Sequence, residues 1–222
     1  MKPHGFTRRG TAFFRVYGDG VLQVVKFNRE CSGAKDLCIG LFSMYSELRP
    51  QWFTSSGCIP HYSVVNIIGE RETLVFRFKP EYQDSITKQL NVLREEGIPW
   101  LNKISTQPEM SDGIRYLETS WGGPYIWNDS FKIAPYLASG DLENAHRVVQ
   151  AILDQRNMAY KANRSIFQTE EEYQKYLEPR LEEDKELYRI LDMTDRGDSD
   201  EIEMYLQRNY QNNVSYARFC MK

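Results

Sequence analysis

Along the first third of the chain, apolar residues cluster in short runs that suit strands. Residues 12–17 (AFFRVY) and 21–28 (VLQVVKFN) are rich in β-branched and aromatic side chains. Gly18, Asp19 and Gly20 lie between them. Glycine supplies the positive φ angles that tight hairpin connections need, so these runs predict an antiparallel hairpin. Both runs are apolar on more than one face, which predicts a sheet covered on both sides or a central position in it. Residues 37–45 (LCIGLFSMY), 62–68 (YSVVNII) and 73–78 (TLVFRF) read as further strands. Residues 47–60, with Pro50, Gly57 and Pro60, read as a loop, and residues 69–72 as a second hairpin connection. The expectation is a meander of about four to five strands.

After Pro80 the period lengthens. Ile86, Leu90, Leu93 and Ile98 predict a helix over 82–96, with Gly97 as its C-cap. Residues 105–129 carry the turn signals Pro108, Ser111-Asp112-Gly113 and Gly122-Gly123-Pro124, and read as an irregular connection. The remainder reads as helical. In 141–160 an apolar stripe of Leu142, Ala145, Val148, Val149, Ile152 and Leu153 follows Asp141, a plausible N-cap. Thr169 and Glu172 form a capping box ahead of a helix that contains Pro179, which should kink or split it. Leu187, Ile190 and Leu191 resume the stripe, and 195–200 makes an acidic turn before a last helix starting near Ile202. The fold class is therefore α+β. An N-terminal antiparallel sheet with one or two helices occupies 1–130, and 131–222 is a helical lobe of the same domain.

Composition adds little against this. With 41% apolar and 27% charged residues among 222, the chain has the makings of a globular core. No run approaches the 18 or so consecutive apolar residues of a spanning helix. The opening MKPHGFTRRG has no apolar signal region, so a cytoplasmic location with reduced thiols is expected. Charge is uneven. Residues 1–80 carry 11 Lys/Arg against 6 Asp/Glu, and residues 139–222 carry 12 against 17. The net charge of −3 is far from the basic footprint of a nucleic-acid binder.

Candidate chemistries are few. Cys31, Cys38, Cys58 and His61 are the best metal set, but the spacing of the first two departs from the paired turns zinc prefers. Asp192, Asp200 and Glu203 match calcium-loop positions, yet Arg196 then stands where an oxygen ligand belongs, so a solvated helix–helix turn is the reading. Of the histidines, His4 is terminal, His61 is in a loop and His146 is on a helix surface. No phosphate-binding, dinucleotide or nucleophile motif occurs, so no metal, cofactor or catalytic residue is assigned. Arg8, Arg9, Arg15 and Lys26 interleave with Phe13, Phe14 and Tyr17, and read as solvated edge charges beside core aromatics. Trp121, Tyr125 and Trp127 on a Gly/Pro-rich stretch are the candidate ligand or partner surface.

The segment Lys2-Pro3-His4-Gly5-Phe6, followed by Arg8-Arg9-Gly10, Phe13-Phe14-Arg15 and the strand that contains Gln23, resembles a bacterial family of uncharacterised proteins, family 4304 of the domains of unknown function. The resemblance covers about the first 80 residues and the stretch 98–101. It implies a first strand led in by basic residues, and it implies no activity or catalytic residue. The functional expectation is a non-catalytic protein-binding module, such as a bacterial immunity or accessory protein. A hydrolase using carboxylates or His61 is the alternative from another class, and a self-associating structural protein is the third.

Overall fold

A computed structural model describes residues 1–29, 35–48, 62–63, 83–120 and 130–221. Five strands form one antiparallel sheet in sequence order: Thr7–Arg9 (β1), Ala12–Tyr17 (β2), Val21–Arg29 (β3), Lys35–Ser43 (β4) and Tyr62–Ser63 (β5). The helices are Gln83–Val92 (α1), Ile98–Asn102 (α2), Gln107–Ser120 (α3), Ser130–Ala138 (α4), Leu142–Asn163 (α5), Glu170–Arg196 (α6) and Ser199–Ala217 (α7). The chain is thus α+β as expected. The remaining residues of the expected strands 62–68 and 73–78, their hairpin, and nearly all of the loop 47–60 lie outside the described residues.

The β2–β3 hairpin pairs Phe13 with Val25 and Phe14 with Val24, and β4 continues the ladder with Ile39 opposite Val25 and Phe42 opposite Leu22. Alternation along a strand sends Val21, Val25, Ile39 and Leu41 to one face, where they meet Leu93, Ile98, Leu101, Ile104 and Met110. Phe14, Leu22, Val24, Phe42 and Met44 go to the other face and meet Phe131, Ala217 and Cys220. Covered on both sides, the sheet explains why its strands are apolar on both faces. A third cluster, with Ile133, Leu137, Val149, Leu153, Ile190, Met193 and Leu206, joins α4 to α7.

Two features of 83–120 differ from the sequence reading. Gly97 is not a C-cap. It has right-handed φ of −64° inside a π-helical turn, Leu93–Gly97, that runs directly into α2. The wider turn shifts the apolar register, so that Leu93 and Ile98 are both buried while Leu90 is 44% exposed. Residues 107–120 are not irregular but form α3. Pro108 is the second residue of that helix, where no backbone N–H is needed. Gly113 marks close packing, since a Cβ there would lie 2.9 Å from Ile104 Cδ1 and 3.7 Å from Leu41 Cδ1.

The helical half follows the signals closely. The Asp141 carboxylate accepts from Asn144 N at 3.2 Å, and Thr169 and Glu172 complete their capping box. Pro179 does not split α6, which runs for 27 residues. Pro179 is exposed, and so is Lys175, whose carbonyl loses its helical partner to the proline.

At the β2–β3 turn the backbone touches the loop after α2. Asp19 N donates to Ser105 O at 2.6 Å, and Gly18 has φ of +53°. A Cβ at Gly18 would lie 1.9 Å from that same carbonyl. Gly18→Ala is therefore expected to destabilise the protein by more than about 2 kcal/mol in urea unfolding, because rigid backbone must move. Gly113→Ala meets only a side-chain tip and gains helix propensity, so it should stay within about 1 kcal/mol of wild type. Equal costs at the two positions would contradict this account.

Candidate functional site

A cleft of about 800 Å³ lies where α4, α5, α6 and α7 meet the segment after β4. Helical spacing builds its walls. On α6, Glu182, Glu183, Glu186, Leu187 and Ile190 share one face, and on α7 so do Tyr205, Arg208, Asn209, Asn212, Asn213 and Tyr216. Phe131, Ile133 and Ala134 of α4 supply an apolar floor together with Leu187 and Ile190. Ser46, Glu47 and Leu48 close the end beside the sheet.

Two asparagines hold that end in place. Asn213 Nδ2 donates to Met44 O at 2.8 Å and to Ser46 O at 2.6 Å, and Asn209 Nδ2 donates to Tyr45 O at 3.1 Å. Both amides are buried, so they satisfy strand-end carbonyls that would otherwise be stranded. Ser46 is 2% exposed, and its Oγ has no hydrogen-bond partner.

The charges divide into paired and unpaired groups. Arg156 pairs with Asp184, which also accepts from Tyr160 Oη at 2.9 Å. Arg208 pairs with Glu186, and Glu182 pairs with Lys185. Glu47 and Glu183 have no hydrogen bond or ion pair among the described residues. Burial pushes the Tyr205 phenol up to about 12, and the carboxylates of Glu186 and Glu47 push in the same direction. The hydrogen bond with Asn209 and the Arg208 guanidinium push against that rise.

Trp121, Tyr125 and Trp127 lie outside the described residues, as do Cys31, Cys58 and His61. Among the described residues no cluster of His, Cys, Asp or Glu has the arrangement of a metal site, and no helix is long and apolar enough to cross a membrane. Cys220 is buried, and burial raises its thiol to about 12. His146 Nδ1 lies 3.0 Å from Asp195 Oδ1 on the helical surface. In the acidic turn, the Arg196 guanidinium takes the carboxylates of Asp192, Asp198 and Glu201 at 3.0, 2.9 and 2.6 Å. A cation of the protein's own thus occupies the position where calcium would be sought.

Arg15 is a correction. Instead of a solvated edge charge it is 5% exposed. Its guanidinium bonds Gln23 Oε1 at 2.7 Å, His4 O at 2.8 Å and Asn102 Oδ1 at 2.7 Å. It lies over the Phe6 and Tyr17 rings at 4.5 and 4.4 Å from their centroids. Arg15 and Gln23 therefore act as scaffold. Arg8 and Arg9 are exposed, as expected. The sequence reading missed the cleft because its polar residues come from α5, α6, α7 and the segment after β4. One signal was available: the amide run Asn209, Asn212 and Asn213 interrupts the apolar stripe of the last helix.

Comparison of the chain with family models, with curated proteins and with solved structures found no match.

Two expectations follow. Asp184 is 1% exposed, so Asp184→Ala should cost about 2 kcal/mol by leaving Arg156 and Tyr160 without their acceptor. Replacing Arg156 and Asp184 together by leucine should recover most of that loss in chemical denaturation; an additive double variant would show that the pair is not coupled. Tyr45, Tyr160 and Tyr205 are all raised, chiefly by burial, to about 12 from the ordinary value near 10. The folded state then holds these protons more tightly than the unfolded state, so their contribution is full below about pH 10 and is lost as pH rises to about 12. The denaturation midpoint should fall through that window, and a flat profile would refute the assignment.

Proposed function

We propose that this protein is a non-catalytic binding module that holds a protein partner in the cleft between α4, α6 and α7. The observation that carries the reading is the layout of the cleft. An apolar floor of Phe131, Ile133, Ala134, Leu187 and Ile190 is ringed by guanidinium, carboxylate and amide groups. An apolar centre with a polar rim is the anatomy of a specific protein interface. Most of the rim charges are already matched by neighbours, so they are oriented before a partner arrives, and preorganisation lowers the entropic cost of docking. Asn209 and Asn213 fix the segment after β4 against α7, which makes one wall rigid. An immunity or accessory protein, whose role is to occupy a partner, fits such a surface.

The test uses Asn212, an exposed cleft residue on α7. Asn212→Trp should fill the cleft without disturbing the core. Immobilised wild-type protein and the variant would be compared for retention of proteins from a host extract, with thermal unfolding as the fold control. A protein retained by wild type and lost from an equally stable variant supports the reading. Identical retention by both, or none by either, overturns it.

A further inference from the structure

Resting on that reading of the cleft, we infer that the segment of the partner seated there is cationic, an extended stretch in which lysine or arginine flanks an apolar residue. The charges left over in the cleft are negative. Four carboxylates and two guanidinium groups line the cleft. Arg208 is taken by Glu186, and Arg156 is taken by Asp184 behind the wall. No cation is left to meet an anionic ligand, whereas the Glu47 and Glu183 carboxylates are exposed and unpaired among the described residues. They come from different elements, one from the segment after β4 and one from α6, and both line the cleft, so a chain seated there could meet both. Pairing at such points would fix orientation and raise the association rate.

A second, independent feature lies beside Glu47. Ser46 lines the cleft, is almost fully buried and has a hydroxyl with no partner. Buried hydroxyls are normally satisfied, so this one is a polar group left without a partner beside Glu47. The apolar floor adds a site for one aliphatic side chain, which a free polyamine would leave unused. Acidic surplus extends over the helical half, where residues 139–222 carry 17 Asp/Glu against 12 Lys/Arg, and would steer a cationic segment inward.

The experiment is fluorescence anisotropy at near-physiological salt. The probe is a short labelled peptide with lysine and arginine around a central leucine. Full-length wild type is compared with the Glu47→Gln/Glu183→Gln double variant, and each is checked for unchanged thermal unfolding. Binding of the basic peptide should weaken by about tenfold in the double variant and more in Asn212→Trp. Equal binding of a control peptide with glutamate in place of the cations would overturn the inference, and so would equal affinity of the double variant. Competition by free spermine at the affinity of the peptide would also overturn it, by reducing the site to a polyamine sink. A partner lost from Asn212→Trp but retained by the double variant would sink the cationic inference alone and leave the binding-module reading standing.

Discussion

The contact between Gln23 and Arg15 is the joint on which the N-terminal half depends. Gln23 has no exposed surface, and its amide has to be satisfied inside the protein. Its oxygen accepts from Arg15 Nε, and its nitrogen donates to Leu101 O at 2.8 Å and Ile104 O at 2.9 Å. The carbonyls of Leu101, at the end of α2, and of Ile104, just beyond it, are thereby tied to the middle of the sheet. Arg15 extends the joint to His4 O and Asn102 Oδ1. Burial lowers its pKa, and the positive charge is offset by carbonyl dipoles at two helix ends and by the faces of Phe6 and Tyr17. One polar cluster therefore sets the position of the N-terminal turn, β2, β3 and the end of α2.

The opposite face of the sheet is organised by α7. Asn213 and Asn209 do for the end of β4 what Gln23 does for the end of α2. They bring buried side-chain donors to backbone carbonyls that the ladder leaves open. Phe42 against Phe131 and Phe14 against Phe219, both edge-to-face at 5.5 and 5.3 Å, fill the space around these bonds. The cleft arises where this packing stops. Beyond Leu153 on α5 and before Leu187 on α6, Asp184 is the one buried residue. The two helices there join through Arg156, Tyr160, Asp184, Asn163 and Tyr176 rather than through an apolar seam.

That change from apolar to polar packing gives the site its electrostatics. Ion pairs within the helical lobe use up Arg156, Arg196 and Arg208, each one helical turn or one neighbouring helix from a carboxylate. With more acids than bases in this half, some carboxylates are left over, and Glu183 in the cleft is one of them.

Local chemistry alone determined much of this protein. The β2–β3 hairpin, β4, the caps at Asp141 and Thr169 and the stripe of α5 depend on residues within a few positions of one another, so period and capping rules reach them. The same rules failed wherever a distant neighbour chose the meaning of a residue. Gly113 reads as a turn until Ile104 and Leu41 are seen crowding it, and Gly97 reads as a cap until the helix continues through it. Arg15 reads as an edge charge until Gln23, His4 and Asn102 converge on it. The cleft belongs to this second class. Ser46 and Glu47 meet Glu183 and Asn213 only after more than a hundred residues have folded between them. Which polar groups end up paired and which remain free is decided by that long-range packing, since charge balance at a site depends on what surrounds it in space.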